Sequence, residues 1–283
     1  MKQITVISGK GGTGKTTIAA MFYALSDSVI ADCDVDAPNL HILLKPNVIE
    51  ELDFFGMKKA VITDLCTQCG LCYELCKFHA VVIDNGDYFI DTSRCEGCAF
   101  CYNACPDEAI EMVDNKSGKL FVSKTDYGYF VHALLNPGEE NSGKLVSEVR
   151  MKAKEIAERE RVEYLIVDGA PGIGCPVIAS LGGVDVALIV AEPSMSGLND
   201  MARVIRLCEH FKIKTFALIN KYNLNERMAA NVEYYCKNND IEILGKIPYD
   251  ENIVKQISNI EFPFKGNAAS KIAGIWNRLK EVV

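Results

Sequence analysis

The sequence lacks a long apolar run and a cluster of basic residues. The stretch from Val184 to Ala191 is interrupted by Asp185 and is too short to cross a membrane. No apolar leader precedes the first β-branched stretch. The net charge is −8, whereas nucleic-acid binding depends mainly on basic side chains that neutralise phosphates. We therefore expect a cytoplasmic protein that binds neither nucleic acid nor a membrane.

Cysteine, by contrast, is abundant. The chain has 12 cysteines in 283 residues, and 49% of its residues are hydrophobic. In a chain without a secretion signal, this many cysteines indicates metal ligands rather than disulfides. The length and the apolar content are sufficient for one large α/β domain and a small module.

The N-terminal region predicts a phosphate-binding loop. An apolar, β-branched run leads into a segment that matches G-x-x-x-x-G-K-[ST], and a helical pattern follows it. The loop residues are Gly9, Lys10, Gly11, Gly12, Thr13, Gly14, Lys15, Thr16 and Thr17. We expect Lys15 to reach the β- and γ-phosphates of a nucleotide and the Thr16 hydroxyl to contact Mg²⁺. The alternative is a glycine-rich turn that binds nothing, but a strand, loop and helix in this order favour the phosphate site.

Acidic side chains end two further apolar stretches that we predict as strands. Asp32 and Asp34 end the first and, two residues apart, face the same side, while Asp168 ends the second. Because the carboxyl ends of parallel strands border the phosphate loop in doubly wound sheets, these carboxylates can face the phosphates. Asp168 fits the second carboxylate of a Mg²⁺ site. The alternative is that Asp32, Asp34 and Asp36 only cap the next element.

Eight cysteines form a duplicated pattern in the middle of the chain. The block C-x-x-C-x-x-C-x-x-x-C occurs twice with a constant offset of 29 residues, which indicates a pseudo-symmetric module. Its cysteines are Cys66, Cys69, Cys72, Cys76, Cys95, Cys98, Cys101 and Cys105. Asn85-Gly86 between the blocks predicts a β-hairpin. Two zinc sites are the alternative, since C-x-x-C pairs suit zinc.

The loop resembles the deviant P-loop of the MinD/ParA group of ATPases, which includes the nitrogenase iron protein, because a second lysine, Lys10, stands at its start. The resemblance implies an α/β fold with a doubly wound, mainly parallel sheet that binds ATP and Mg²⁺. In that group the early lysine reaches a nucleotide phosphate across a dimer interface. We therefore expect an ATP-dependent homodimer, or a heterodimer with a similar ATPase.

The same resemblance implies roles for several side chains. Asp34 would orient the attacking water and Asp32 would support the Mg²⁺ shell. Asn220, at the end of a predicted strand, would contact adenine, and the backbone from Pro248 onward would line the base. Lys10, Lys15, Asp34 and Asp168 are the residues that we expect to act in catalysis.

The duplicated cysteines resemble those of bacterial two-cluster ferredoxins, in which the fourth cysteine of each block ligates the other cluster. The resemblance implies two 4Fe–4S clusters, and their ligands are Cys66, Cys69, Cys72 and Cys105 for one and Cys95, Cys98, Cys101 and Cys76 for the other. We expect an inserted α+β ferredoxin module at residues 60–116, with the ATPase domain in two parts, 1–59 and 117–283. Lys77 stands where the ferredoxin pattern has proline, which removes no ligand.

Other segments also carry expectations. Cys175 lies seven residues after Asp168, where the nitrogenase iron protein has a cluster ligand, but that protein's other ligand cysteine is not found here. We expect Cys175 to be a small buried residue; the alternative is that it lies where the switch communicates with the cysteine module. Gly138–Lys144 is predicted as a surface connection and 144–161 as a solvated amphipathic helix. The C-terminal apolar pattern around Trp276 predicts a helix packed on the core rather than on a membrane.

Taken with the resemblances, the sequence predicts an ATP-hydrolysing iron–sulfur protein. ATP-dependent dimerisation and switch movement would be coupled to the two clusters, for gated electron transfer or redox-linked regulation with an unidentified protein redox or client partner. One alternative is an iron–sulfur cluster carrier or assembly ATPase, although such carriers use a C-x-x-C near the C-terminal part, where this chain has only Cys236. The other is a MinD-like positioning ATPase with a structural or sensing ferredoxin module.

Overall fold

The computed structural model describes residues 1–139 and 143–283, which form two compact units. The first unit comprises Met1–Glu51, Leu120–Leu134 and Asn141–Val283, and the second comprises Leu52–Lys119 and Leu135–Glu140. The second unit contains all of residues 60–116 and hence all eight cysteines of the duplicated pattern.

Strands and helices alternate along parts of the chain, and several strands follow one another directly between Asn47 and Leu135. The strands are β1 (Lys2–Ser8), β2 (Ser28–Asp32), β3 (Asn47–Phe55), β4 (Lys59–Ile62), β5 (Val81–Asp84), β6 (Asp87–Ile90), β7 (Ile110–Val113), β8 (Lys116–Thr125), β9 (Gly128–Leu135), β10 (Tyr164–Pro171), β11 (Val186–Ala191), β12 (Lys214–Asn220) and β13 (Glu242–Ile247). The helices are α1 (Lys15–Ala24), α2 (Leu40–Leu44), α3 (Leu71–Leu75), α4 (Phe100–Ala104), α5 (Lys144–Glu160), α6 (Cys175–Leu181), α7 (Met195–His210), α8 (Glu226–Asn238), α9 (Glu251–Ser258) and α10 (Asn267–Val282).

The main sheet has the strand order β13-β12-β11-β1-β10-β2-β9-β8-β3. Every neighbouring pair from β13 through β9 is parallel. Because β1 lies between β10 and β11, crossover connections run to both sides of it, as in a doubly wound sheet. The predicted α/β fold with a mainly parallel sheet is confirmed.

The central strands carry continuous buried runs, such as the whole of β11, because both faces of the sheet are covered. In β11, Leu188 faces a core that contains residues of α1 and α10, while Ile189 faces a second core that contains residues of α6, α7 and α8. Both side chains are fully buried. Alternation along a strand places successive side chains in opposite layers, so a continuous apolar run is required here.

Two helices show how far the sequence patterns hold. The solvated amphipathic helix predicted for 144–161 is confirmed as α5, because Leu145, Val149 and Ile156 are fully buried on one face while charged side chains such as Lys154 and Glu158 are exposed. In α10, Trp276 is 1% exposed and its ring centroid lies 5.0 Å from that of Phe22, which confirms the packed C-terminal helix. In the part of the chain that the structure describes, no helix combines the length and apolarity that a bilayer crossing requires.

The second unit contains two small antiparallel sheets. β4 pairs with β7, and β5 pairs with β6. Asn85 and Gly86 connect β5 and β6 with φ angles of 51° and 94°. Positive φ at both central positions is the requirement of a tight hairpin turn, so the predicted hairpin is confirmed.

Candidate functional site

The loop between β1 and α1 has the open, glycine-dependent backbone of an anion site. Gly12 and Gly14 have φ angles of 79° and 91°, which strongly favour glycine, and Gly14 directly precedes the first residue of α1. A Cβ atom at Gly11 or Gly12 would meet nothing within 4 Å, so this side of the loop is open. The loop therefore directs backbone N–H groups and a helix N-terminus toward the same space.

Lys15 lies among carboxylates at the base of the loop. Its Nζ donates to Asp168 Oδ1 at 2.6 Å and lies 3.9 Å from Asp34 Oδ2. β10 pairs with both β1 and β2, and Asp168 is the register partner of Asp32, so the strand ends bring these side chains together. Nζ is also 3.4 Å from Thr16 Oγ1. The structure thus places the predicted phosphate lysine and the predicted Mg²⁺ ligands side by side.

Burial and mutual repulsion shift the protonation of this cluster. Burial and the charge of Asp168 raise the pKa of Asp32 to about 8, although Lys15 opposes them. Burial also raises the pKa of Asp34, against the attraction of Lys15. Burial alone would lower the pKa of Lys15, but the three carboxylates, led by Asp168, raise it. Three acids facing one ammonium leave an excess of acidic groups that a divalent cation would offset.

One buried oxygen in this cluster has no partner. Asp168 is fully buried, and its Oδ2 atom makes no hydrogen bond among the described residues. A buried carboxylate oxygen without a donor is costly, and Mg²⁺ is bound by such oxygens. Asp32 differs, because it accepts backbone N–H groups from Asp34 at 3.1 Å and Leu40 at 3.4 Å. Its contacts are those of the capping alternative, whereas Asp168 fits the cation.

A cavity of about 200 Å³ continues from the loop toward the base side. Its lining includes both residues that were predicted to contact the base, Asn220 and Pro248, together with Gly14, Thr17, Ile18, Tyr249, Ile253 and Ile272. Asn220 Nδ2 donates to the Thr13 carbonyl at 2.7 Å. The cavity joins the phosphate loop to a largely apolar wall, which suits a planar base.

Two lysines make contacts between the loop and other elements that were not predicted from the sequence. Lys221 Nζ donates to the Gly12 carbonyl at 2.8 Å and so ties the loop to the end of β12. Lys10 pairs with Glu192, just after β11. Lys221 and Gly12 are 209 residues apart in the chain, and Lys10 is 186 residues from Ser196, which it also contacts. Only the parallel sheet brings these residues together. The position of Lys221 at the end of a predicted strand was the one available signal.

The duplicated cysteines have duplicated backbone geometry. The 29-residue offset relates Gly70 to Ala99 and His79 to Glu108, and all four have positive φ angles, between 51° and 77°. It also relates α3 to α4. The Sγ atoms of Cys76 and Cys105 accept the N–H groups of Ala80 and Ala109, both at 3.3 Å. The two blocks are therefore equivalent in structure as well as in sequence.

One predicted ligand set surrounds a cavity. A cavity in the second unit is lined by Cys66, Cys69, Cys72 and Cys105, the four cysteines that the ferredoxin pattern assigns to one cluster. Burial raises the pKa of Cys101 and so do the neighbouring thiols of Cys95 and Cys98, which belong to the other set. In residues 1–139 and 143–283, no group of three or more His, Cys, Asp or Glu side chains is placed so that it could hold a single metal ion.

Burial separates the remaining cysteines. Cys33, Cys208 and Cys236 are buried, which is typical of structural cysteines. Cys175 is exposed, so its prediction as a small buried residue was wrong: it is the first residue of α6, directly after the loop that follows β10. Within the surface connection predicted at Gly138–Lys144, residues 140–142 lie outside the described residues, and Gly138 is exposed.

The fold and the loop define a P-loop nucleotide-binding protein. Residues 4–264 match the family described as the CobQ/CobB/MinD/ParA nucleotide binding domain. The chain belongs to this family.

The chain is also similar to individual proteins, over its whole length or over part of it. An uncharacterized protein of Methanocaldococcus jannaschii is 32% identical over 287 residues, covering 99% of this chain and 97% of its own length. A cytosolic Fe-S cluster assembly factor NUBP1 homologue of Caenorhabditis elegans is 25% identical over 140 residues, which is 43% of this chain and 45% of that protein.

Two solved structures share the fold. The septum site-determining protein MinD of Pyrococcus horikoshii in complex with Mg-ADP superimposes with a TM-score of 0.60 at 17% identity, covering 99% of this chain and 96% of that one. The MinC:MinD cell division complex of Aquifex aeolicus gives 0.57 at 20% identity, with coverage of 99% and 96%.

Proposed function

We propose that this protein is a Mg²⁺-dependent ATPase whose nucleotide state is coupled to iron–sulfur clusters. The clusters would be held by the eight cysteines of the duplicated pattern, which we call the cysteine unit. The observation that carries the ATPase part is the cluster of Lys15, Asp34 and Asp168 beside an open glycine loop. The observation that carries the iron–sulfur part is the cavity lined by four cysteines from both blocks.

In the proposed ATPase, Lys15 exchanges partners when nucleotide binds. Its ammonium now contacts Asp168, and the phosphates of ATP would replace that carboxylate as its partner. Asp168 would then be available, with Thr16, to the cation that accompanies the phosphates. Asp34, which is less buried than Asp168 and is 3.9 Å from Lys15, would orient the attacking water. Asn220 and Pro248 would flank the base.

The cysteine unit fits iron–sulfur ligation in its donors and in its environment. Cys66, Cys69, Cys72 and Cys105 would hold one 4Fe–4S cluster, and Cys95, Cys98, Cys101 and Cys76 would hold the other. Backbone N–H groups reach Cys76 and Cys105, and such donors stabilise thiolate charge and tune cluster potential. A bound 4Fe–4S cluster would supply a one-electron redox centre.

The test of the ATPase part is Mg²⁺-dependent ATP hydrolysis by the wild type and by Lys15→Ala. We expect loss of hydrolysis in the variant, because its phosphate-binding ammonium is gone. Full activity of Lys15→Ala would contradict the site. For the cysteine unit, an anaerobically prepared sample should contain iron and sulfide; zinc in their place would support the zinc alternative.

Dimerisation is part of the proposal. Lys10 is part of the loop, and the exposed Cys175 directly follows the segment after β10. Both residues belong to the first unit. We propose an ATP-dependent homodimer, or a heterodimer with a similar ATPase, that acts on a protein redox or client partner. Sedimentation with and without Mg-ATP would test this, and a monomer at saturating ATP would contradict it.

A second candidate function is supported by the match to the Fe-S cluster assembly factor. In that case the chain would deliver clusters to client proteins rather than pass electrons. Transfer of iron and sulfide to an apo-ferredoxin, faster with Mg-ATP than without, would favour delivery. Clusters that stay bound through many ATP turnovers would favour the redox-coupled function. A positioning ATPase with a structural or sensing cysteine unit is the third candidate.

A further inference from the structure

Lys10 is held within its own chain by three acceptors. Its Nζ forms an ion pair with Glu192 and lies 3.1 Å from Ser196 Oγ and 3.4 Å from Ser194 Oγ. An ammonium carries three N–H donors, so these three oxygens satisfy it completely. Ser8 Oγ also donates to the Lys10 carbonyl at 2.8 Å, which fixes the backbone at the start of the loop.

The acceptors form a built site and not a chance surface pair. Ser194 caps α7 by accepting the Gly197 N–H at 3.0 Å, and its hydroxyl also donates to Glu192 Oε1 at 3.2 Å. The Ser194 N–H donates to the Glu192 carbonyl at 2.8 Å. A Cβ atom at Gly197 would lie 2.5 Å from that carbonyl oxygen, so the turn leaves room only for glycine. Helix capping therefore fixes the position of Glu192.

The pair is also partly shielded from water. The Lys10 side chain is 31% exposed and that of Glu192 is 20% exposed. A lysine held here cannot at the same time bind a phosphate, because one ammonium cannot use the same donors twice. When Lys10 moves away, the Glu192 carboxylate still accepts a hydrogen bond from the Ser194 hydroxyl but no longer pairs with an ammonium group. The pair therefore opposes any state in which Lys10 binds elsewhere.

We propose that Glu192 is a positioning residue that holds Lys10 in a resting conformation and so raises the ATP concentration needed for dimerisation. This inference rests on the proposed function, in which Lys10 binds nucleotide phosphate in the dimer. Glu192 acts as an intramolecular competitor of that phosphate. The protein stays monomeric at low ATP because its early lysine already has a full set of partners.

The size of the effect follows from the exposure of the pair. Partly exposed ion pairs contribute modestly, so removal of the Glu192 charge should lower the half-maximal ATP concentration about two- to fivefold. Ser196→Ala, which removes one neutral acceptor, should act in the same direction with a smaller effect. Glu209→Gln should have no effect, because Glu209 is exposed and lies at the far end of α7 from Ser196.

The experiment is analytical ultracentrifugation of the full chain across a Mg-ATP titration, with wild type, Glu192→Gln, Ser196→Ala and Glu209→Gln. We expect dimers at lower ATP for the first two variants and no change for the third. A variant that only damaged the fold would weaken dimerisation, so a gain is diagnostic. An unchanged or higher ATP requirement in Glu192→Gln overturns the inference.

A second measurement needs no nucleotide. Urea unfolding of the nucleotide-free wild type, Lys10→Met, Glu192→Gln and the double variant forms a double-mutant cycle. We expect the two substitutions to be non-additive; additivity overturns the inference. Wild-type protein that never dimerises with ATP would instead overturn the proposed function, and that outcome is visible before any Glu192 variant is compared.

Discussion

Asp34 and Asp168 are chemically similar side chains in different surroundings. Asp168 is fully buried, contacts Lys15 and keeps one oxygen without a partner, whereas Asp34 is partly exposed at the edge of the cluster. A water that attacks a phosphate must reach the site from solvent, so the outer carboxylate is the better candidate to orient it.

We therefore predict that Asp34→Asn lowers the rate of ATP hydrolysis at least about 100-fold while ATP still binds. The amide keeps the size of the side chain but loses its charge. Steady-state hydrolysis and equilibrium ATP binding measure the two effects. Asp240→Asn is the matched control, since Asp240 is exposed and its φ of 54° is one that asparagine tolerates. Unimpaired hydrolysis in Asp34→Asn would contradict the assignment.

The cysteine ligand sets also predict a residue-level outcome. Cys69→Ser should lose one of two clusters, so that iron and sulfide fall from about eight to about four of each per chain. Cys175→Ser should keep both clusters, because Cys175 is outside the duplicated pattern and in the other unit. Anaerobic iron and sulfide analysis with EPR measures this. Equal iron content in the two variants would refute the ligand sets.

His132 predicts a pH effect on stability. It is 4% exposed, its ring stacks on Phe130 at 4.5 Å, and its Nδ1 has no partner among the described residues. Burial, with a smaller contribution from His41, lowers its pKa to about 4. The unfolded chain, with a histidine pKa near 6.5, then binds more protons than the folded chain between pH 6.5 and 4, so stability is lost as the pH falls through this window.

The loss should reach about 3 kcal/mol at pH 4 relative to pH 7. Other groups titrate in the same range, so the measured quantity is the difference between wild type and His132→Phe in urea unfolding at several pH values. The variant should lack this contribution. His210→Gln is the control, because His210 is exposed. Parallel pH profiles for wild type and His132→Phe would contradict the prediction.

At the scale of elements, Trp276 is the largest of the buried side chains by which α10 packs on the core. Trp276 is 1% exposed and lies against Phe22 of α1 and Tyr164 of β10. Trp276→Ala should lower the free energy of unfolding by about 3–5 kcal/mol, because it leaves a cavity between the helix and the sheet. Tyr234→Ala on α8, where the side chain is 69% exposed, should have little effect. Chemical denaturation measures both, and equal stability would show that α10 is not held by this contact.

The elements that the sequence predicts best are those with a local cause. β1, the loop and α1 follow from a strand, glycines and a helix pattern in one stretch, and the hairpin follows from Asn85-Gly86. β3 was not predicted, because it ends the sheet: Val48 and Ile49 are 42% and 50% exposed, and acidic residues interrupt the run. An edge strand needs no continuous apolar pattern and therefore leaves a weak signal.

In the candidate site, too, some features have a local signal in the sequence and others do not. Lys15 and the carboxylates at strand ends were identified because the chemistry and the strand pattern coincide in the sequence. The Lys10–Glu192 pair and the Lys221 contact were not, since each joins positions roughly 200 residues apart. The exposure of Cys175 also depends on tertiary structure and not on the residues beside it. Local motifs predict which side chains would bind a nucleotide. Only the assembled sheet shows which residues these side chains contact when no nucleotide is bound.

At the scale of the whole molecule, the glycine-rich loop and the duplicated cysteines lie in two different units. The first unit has the nucleotide fold of its family, and the second carries the duplicated cysteines. Cluster potentials respond to hydrogen bonding and solvent exposure. If nucleotide binding shifts the reduction potential of the proposed clusters, reciprocity of coupling requires that their redox state changes the affinity for nucleotide.

The measurement that tests this coupling most directly is an anaerobic EPR redox titration of both clusters with and without Mg-ATP, with Lys15→Ala as the control. The account predicts a potential shift of several tens of millivolts that is absent in the control; roughly 60 mV corresponds to about 1.4 kcal/mol for one electron. Unshifted potentials in a protein with intact clusters and ATPase activity would contradict it, and would leave delivery to a partner or a structural role for the cysteine unit.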